Sequence, residues 1–203
     1  MERNFRNLPL WLVLFFCIIS VIIILVPIAL NSIVLHEAGY IEGWFLFHSE
    51  RTALGQALYD ADLRRIVNYT YVSFYITGCL EQFLNSPILI ARSLSWLGFA
   101  TSLYGCWRCG RHFGRSALAG TISVLLFAGL SGTIVGGWLG TADPQFMAEG
   151  LTILGLTVHV VNPTGWGRLC IAPVLLVLAI FTKQQSLALP LAVLIDVAIN
   201  HRR

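Results

Sequence analysis

The chain has 203 residues, 57% of them hydrophobic and 11% charged, with a formal net charge of +3 and a mean hydropathy of +0.76. Soluble domains run at about 45–50% apolar and about 25% charged residues, so this composition excludes an ordinary soluble domain and describes a polytopic membrane protein. A charge of +3 with no basic run interleaved with aromatics gives no basis for a nucleic-acid partner; the arginines sit in short patches between apolar segments, where they report topology.

Residues 1–8 are polar and carry Arg3 and Arg6. An uncharged apolar run follows from Pro9 to about Val34, longer than the ~20 residues that cross ~30 Å of hydrocarbon. A signal peptide has an apolar core of ~7–15 residues and a small-residue cleavage site, whereas this run leads straight into His36 and Glu37. It reads as an uncleaved first span, 9–34, with the N-terminus cytoplasmic.

The segment 35–87 reads as a structured outer loop. Residues 41–54 contain no helix breaker except Gly43, and Trp44, Phe45 and Phe47 point several ways round, as on a short helix wedged between protein and headgroups. Asp60, Asp62, Arg64 and Arg65 form a charged turn. Over 69–84 a helical projection puts Thr70, Thr77 and Glu81 on one side and Tyr69, Val72, Ile76, Leu80 and Phe83 on another, the pattern of an interfacial amphipathic helix. Charge bias decides between lying flat and crossing. If 69–84 lies flat, Arg108, Arg111 and Arg115 fall inside; if it crosses, they fall outside against the positive-inside rule.

With 69–84 flat, five further spans alternate over 88–199: about 88–107, 116–139, 145–161, 169–182 and 186–199. Of the 13 basic residues, those at 3, 6, 108, 111, 115, 168, 202 and 203 are then inside, and nearly all acids lie outside or at the outer rim, Glu2 and Asp196 excepted. The expected fold is all-α: one polytopic transmembrane helical bundle of about six spans over 1–203, with interfacial helices in the first outer loop. Cys106 and Cys109 form a CxxC, but a zinc site needs two more ligands and only His112 is near; the pair reads as two small apolar residues at a helix end.

This topology gathers Glu37, Glu42, His48, Glu50, Asp60, Asp62, Arg64, Arg65, Arg92, Asp143, Lys183 and Gln184 on the outer face. Ionisable groups at the edge of apolar helices are expensive and point to function. Glu42, partly desolvated at the rim of a wet cleft, suits a general base. Asp143 suits a second acid or a ligand for Mg²⁺ or Mn²⁺, which favour carboxylate and phosphate oxygens. Lys183 and Arg92 suit a phosphate, with Gln184, His48 and Tyr71 as further substrate-binding candidates. Each has a plainer reading too: Glu42 as a helix N-terminal charge, Asp143-Pro144 as an N-cap and first helical position, Lys183 as a snorkelling side chain, His48 as interfacial packing, and Tyr71 as part of an aromatic belt with Tyr69 and Tyr75.

The order of these pieces resembles the N-terminal half of the GT-C-type membrane glycosyltransferases, the group of the protein O-mannosyltransferases and aminoarabinose transferases. The resemblance runs from Ile41-Glu42-Gly43-Trp44, at the family's acidic outer-loop motif, through Gly55-Gln56-Ala57-Leu58-Tyr59 and the 68–75 interfacial segment. It continues with Arg92-Ser93-Leu94-Ser95, Ala142-Asp143-Pro144 and Phe181-Thr182-Lys183-Gln184, and covers roughly 10–199. Ile41 stands where the family usually has a first acid, and the prolines of the interfacial motif are absent.

The resemblance implies a multi-pass protein of the plasma (inner) membrane that moves a sugar from a polyprenyl-phosphate donor, reached from the bilayer, to an acceptor in the cell envelope. It implies Glu42 as base, Asp143 at a metal or second-acid position with Mg or Mn as cofactor, and Lys183 with Arg92 on the donor phosphate. Family members continue beyond a sixth span, so the chain is expected to be incomplete at its C-terminus and to work with a separate C-terminal portion. The rival expectation is a non-enzymatic module, a transporter fragment or assembly subunit; a transporter would place ionisable residues or broken helices near mid-bilayer, where Gly129, Gly132, Gly136 and Gly137 stand instead.

Overall fold

The structure is a computed structural model that describes residues 8–37, 39–59, 70–84, 86–161, 165 and 167–200. The charged turn 60–65, Asn68, Tyr69 and both extreme termini lie outside the described residues. Among the described residues regular structure is entirely helical, with eight α-helices, so the all-α expectation holds. In chain order they are α1 (Leu8–Ser32), α2 (Tyr40–Ala53), α3 (Val72–Glu81), α4 (Pro87–Gly114), α5 (Ala117–Ile134), α6 (Gln145–Val161), α7 (Ala172–Thr182) and α8 (Ala188–Asn200). A π-helical turn, Gly167–Ile171, precedes α7, and a 3₁₀ turn, Gln184–Leu187, precedes α8.

Leu10–Ser32 and Ala117–Ile134 are long and apolar enough to cross a membrane. Only 6% of the apolar window of α1 is buried by the rest of the chain, so its surface is left to a nonpolar surrounding. Length and composition thus support two crossing helices. Helices α6, α7 and α8 are apolar but shorter, and the six expected spans would need them and α4 as well.

Helix α4 is the axis of the bundle. Pro87 starts it, where a missing N–H costs nothing, and it ends only at Arg115, which takes a left-handed conformation with φ 49°. It therefore runs past the expected end near 107, through Gly110, with its last turns packed on α6 at Thr157. Cys106 and Cys109 lie inside it as packing residues, with Cys109 Sγ 3.4 Å from Thr157 Oγ1. Helix α5 returns antiparallel after the Ser116 N-cap, whose Oγ accepts from Ala119 N at 3.1 Å, and Phe99 stacks on Phe127 at 6.0 Å. Beyond Ile134 the Gly136-Gly137 pair ends α5, and residues 135–144 form turns where a continued span to 139 was expected.

Helix α6 then runs parallel to α4 at close range. A Cβ on Gly98 would overlap the backbone of Phe146, and one on Gly150 would overlap the backbone of Gly98. Small residues that let backbones touch are the usual device of helix pairs lacking a water-driven hydrophobic force. Helix α7 is antiparallel to α6, with Leu176 and Ala172 over Gly155. The chain then breaks at Lys183, which is extended (φ −152°, ψ 118°), and α8 comes back until Asp196 meets His159 and Arg168.

Helices α2 and α3 pack on each other beside the start of α4. Phe45 and Phe74 stack at 4.8 Å, and Thr52 Oγ1 donates to Phe74 O at 3.0 Å. Thr70 Oγ1 donates to Ile180 O at 3.1 Å, which ties the entry to α3 to the end of α7.

The α4–α6 contact makes a direct prediction. Gly98→Ala and Gly150→Ala are each expected to destabilise by about 1–3 kcal/mol, the usual effect of overpacking. Gly137→Ala, where an added Cβ meets nothing within 4 Å, should stay within about 0.5 kcal/mol, as surface changes usually do. Thermal unfolding in detergent, read by tryptophan fluorescence, checks both; equal behaviour of the three variants would refute the close contact.

Candidate functional site

The loop following α1 (32–37), the first turn of α2, the second turn of α4, the 138–144 turn and the break after α7 meet at one end of the bundle. Arg92 lies at the centre. Its Nε and Nη2 grip the two Glu42 carboxylate oxygens at 2.8 Å each. Nη1 donates to Ser32 O at 3.1 Å and to Val34 O, and Nη2 also donates to His36 O at 2.8 Å. A guanidinium has five N–H donors, and these contacts use all five. Trp96 Nε1 donates to Ser32 Oγ at 3.0 Å and pins the same loop.

Glu42 reaches further. Its Oε1 also accepts from Ala142 N at 2.8 Å, so a first-turn side chain of α2 fixes the turn that introduces α6. Asp143 follows directly. Its Oδ1 accepts from Gln145 N at 2.8 Å, the N-cap role expected of Asp143-Pro144, and also receives Lys183 Nζ at 2.7 Å. The capping bond and the ion pair thus share the same oxygen. Lys183 Nζ lies 5.8 Å from the centre of the Trp138 ring, within cation–π range. The lysine reaches inward because the chain is extended at 183; a continued α-helix would turn it elsewhere. Glu42, Arg92, Asp143 and Lys183 are each under 5% exposed, so two buried ion pairs stand side by side.

An open cleft of about 310 Å³ lies against them, lined by Gly39, Ile41, Glu42, Gly137, Trp138, Thr141 and Asp143. The Gly140 turn behind it has φ 71°, and its N–H is held by Ser95 Oγ at 3.2 Å. A second cleft of about 450 Å³ opens between α5, α6 and the 185–189 segment, lined mostly by apolar side chains with Gln145, Glu149 and Gln185. Gln145 Nε2 donates to Glu149 Oε1 at 2.6 Å. Glu149 was not among the expected site residues. The available signal was an acid six residues past Asp143 in an otherwise apolar helix.

Of the expected residues, Glu42, Arg92, Asp143 and Lys183 thus come together. The other three do not join them at the cleft. His48 is fully buried among Trp44, Phe47 and Phe74, with ring centres at 4.5, 5.1 and 5.8 Å. Tyr71 is exposed and lies against Tyr75 and Phe181. Gln184 is exposed in the 3₁₀ turn after Lys183. Arg92 itself is committed to one carboxylate and three carbonyls, so the phosphate role expected of it would require dismantling that set.

The donor set also bears on a divalent metal. Asp143 Oδ1 is shared by Lys183 and Gln145 N, and both Glu42 oxygens face Arg92. No group of three His, Cys, Asp or Glu side chains able to hold a metal ion occurs among the described residues. Two carboxylates already neutralised by their own cations do not fit a resident Mg²⁺ or Mn²⁺, which favours several oxygen ligands of its own.

The fold and site therefore define an all-helical protein with two helices able to cross a membrane and a pair of buried ion pairs at one end of the bundle. No family model, no characterised protein and no solved structure matches the chain.

Removing one partner of a buried pair strands the other, at a cost of about 3–5 kcal/mol. Arg92→Met is expected to lose that much, and Arg92→Met combined with Glu42→Met should recover part of it. Unfolding midpoints of the single and double variants measure the coupling; strictly additive losses would show that the pair does not tie the two segments.

Proposed function

We propose that the chain is the membrane-embedded part of a glycosyltransferase of the GT-C type, working on a lipid-phosphate sugar at the end of the bundle that carries the two ion pairs. The observation that supports it is convergence: residues 42, 92, 143 and 183, far apart in a greasy chain, meet beside one open cleft. In this reading α1, α4, α5, α6, α7 and α8 are six spans, α2 and α3 lie in the outer interface, and the N-terminus is cytoplasmic in a plasma (inner) membrane.

In this reading Lys183 leaves Asp143 to meet the donor phosphate as a point charge, while Asp143 keeps its hydrogen bond to Gln145 N. Trp138 offers an aromatic wall for the sugar. Glu42, held by Arg92, accepts the proton of the acceptor hydroxyl as that oxygen attacks the anomeric carbon. The bond from that carbon to the phosphate oxygen breaks, and polyprenyl phosphate leaves as an anion balanced by Lys183. Arg92 acts as a positioning residue that aims Glu42. The acceptor is an extracytoplasmic glycan, lipid or protein.

The second reading is a non-enzymatic membrane module in which both ion pairs are struts. It draws on the full use of Arg92's donors, which is what a structural clamp requires.

Transfer and topology tests separate the two. Glu42→Asp keeps the charge but shortens the reach, and should lower kcat about 10²-fold or more, the scale of general-base effects. Lys183→Gln should raise KM for the donor about tenfold with a smaller effect on kcat. Release of polyprenyl phosphate from a panel of polyprenyl-phosphate hexoses and pentoses in proteoliposomes reads both, and quenching of Trp138 by undecaprenyl phosphate, referenced to Trp138→Phe, reads binding alone. No quenching, or quenching unchanged by Lys183→Gln, would sink the enzymatic reading.

In a cysteine-free background, single cysteines at 137 and 184 should react with an impermeant thiol reagent from outside the cell, and one at 115 only from inside. Labelling of 115 and 184 from the same side would end the six-span arrangement.

A further inference from the structure

The far end of α4 carries a second built feature, independent of the cleft. Arg108, Arg111 and His112 lie in its last two turns and, with Val161 at the end of α6, line a recess of about 380 Å³. Ligand sites commonly fall in the range of roughly 300–1,000 Å³. Arg115, the left-handed residue that closes the helix, follows four residues after Arg111 but does not line the recess.

No carboxylate among the described residues pairs with any of these groups. The ion pairs there are Glu42–Arg92, Asp143–Lys183, and Asp196 with His159 and Arg168. Aromatic rings brace the guanidiniums without neutralising them. Arg111 stands 5.2 Å from the centre of the Trp107 ring. Arg108 donates to Tyr104 Oη at 3.2 Å and lies 5.9 Å from that ring. Charge is thus presented, held and left open.

The position along the helix supplies the setting. From Arg92 to Arg111 α4 rises 1.5 Å per residue, about 28 Å in all, close to the ~30 Å of bilayer hydrocarbon. The two polar ends of α4 therefore match the two headgroup planes. Tyr104 and Trp107 sit where interfacial aromatics gather. The positive-inside rule explains an excess of arginine here; it does not call for braced guanidiniums around a recess between two helices.

We propose that this recess binds the phosphate of an anionic glycerophospholipid of the phosphatidylglycerol class, whose acyl chains lie along the exposed side of α4 marked by Leu97 and Tyr104. Arginines match phosphate with paired N–H donors, and basic pockets between helices at the cytoplasmic end are a known way of holding anionic lipid. A zwitterionic lipid presents the same phosphate but adds an ammonium, which would face the Arg108 and Arg111 guanidiniums with no acid among the residues lining the recess to receive it. The charge pattern therefore selects anionic over zwitterionic headgroups.

The test uses the full chain in detergent, with dioleoyl-phosphatidylglycerol, dioleoyl-phosphatidylcholine and inorganic phosphate as probes. Native mass spectrometry should retain phosphatidylglycerol at least tenfold over phosphatidylcholine, and phosphatidylglycerol alone should raise the unfolding midpoint. The double variant Arg108→Gln/Arg111→Gln should lose that preference, while Arg51→Gln near the cleft end keeps it. If the double glutamine variant fails to fold, Arg108→Lys/Arg111→Lys carries the test: it keeps the charge but loses the forked donors, and retention should fall at least threefold. Equal binding of the two lipids, or retention unchanged in whichever double variant folds, overturns the proposal. So does inorganic phosphate giving the same stabilisation, because the anion alone would then be the ligand.

Discussion

Everything at the cleft end depends on one guanidinium kept out of water. Arg92 is 3% exposed, and an arginine does not escape burial by giving up its proton. Its charge has to be met where it stands. Glu42 meets it with both oxygens, and Ser32, Val34 and His36 supply carbonyls for the remaining donors. A lysine could not replace it, because three donors on a point charge cannot span a carboxylate and three separate carbonyls. The consequence is topological. The loop after α1 is folded around a side chain of α4, and the same side chain docks α2 alongside the apolar cluster of Phe45, Phe74, Ala91 and Ala142.

That arrangement reaches the second ion pair through the backbone. Ala142 N donates to Glu42, and the next residue is Asp143. The position of Asp143, and hence of Lys183, is therefore set by the Arg92 network on one side and by the α4–α6 glycine contact on the other. Gly98 and Gly150 bring the helices close enough that Arg92 and the 142–143 turn lie at one level. A wider separation would leave Glu42 short of Ala142. Close helix packing and the charge network are in this sense one constraint, satisfied twice.

Several of these features were legible in the sequence for identifiable reasons. Helix α6 was expected at 145–161 and is found at Gln145–Val161, because Asp143-Pro144 is a strong start signal. The convergence of 42, 92, 143 and 183 followed from treating charges at the edges of apolar runs as functional. What the residues could not show was pairing. Nothing in the composition says that Arg92 belongs to Glu42 and Lys183 to Asp143, and that choice moves Arg92 from the phosphate to the scaffold. The end of α4 was placed too early because Cys106–Cys109 looked like the edge of a span, whereas tertiary contacts with α6 at Thr157 carry the helix on. Glu149 escaped because an acid inside an apolar helix was counted with the outer rim instead of being placed on a face. His48 was drawn to the site by its chemistry, and the aromatic shell of α2 and α3 accounts for it instead.

The two ends of α4 make the same physical point in opposite ways. At the cleft end each cation has a carboxylate, the groups are buried, and the net charge of the four residues is zero. At the far end Arg108 and Arg111 share one stripe of the helix, lean on aromatic rings and pair with no acid among the described residues. A cation inside a low-dielectric bundle has to be neutralised by the chain itself, since burying it alone is prohibitive. A cation at an exposed helix end can be left for the surroundings to neutralise. The distribution of acids along this one helix, present where the arginine is enclosed and absent where the arginines are open, follows from that difference in solvent.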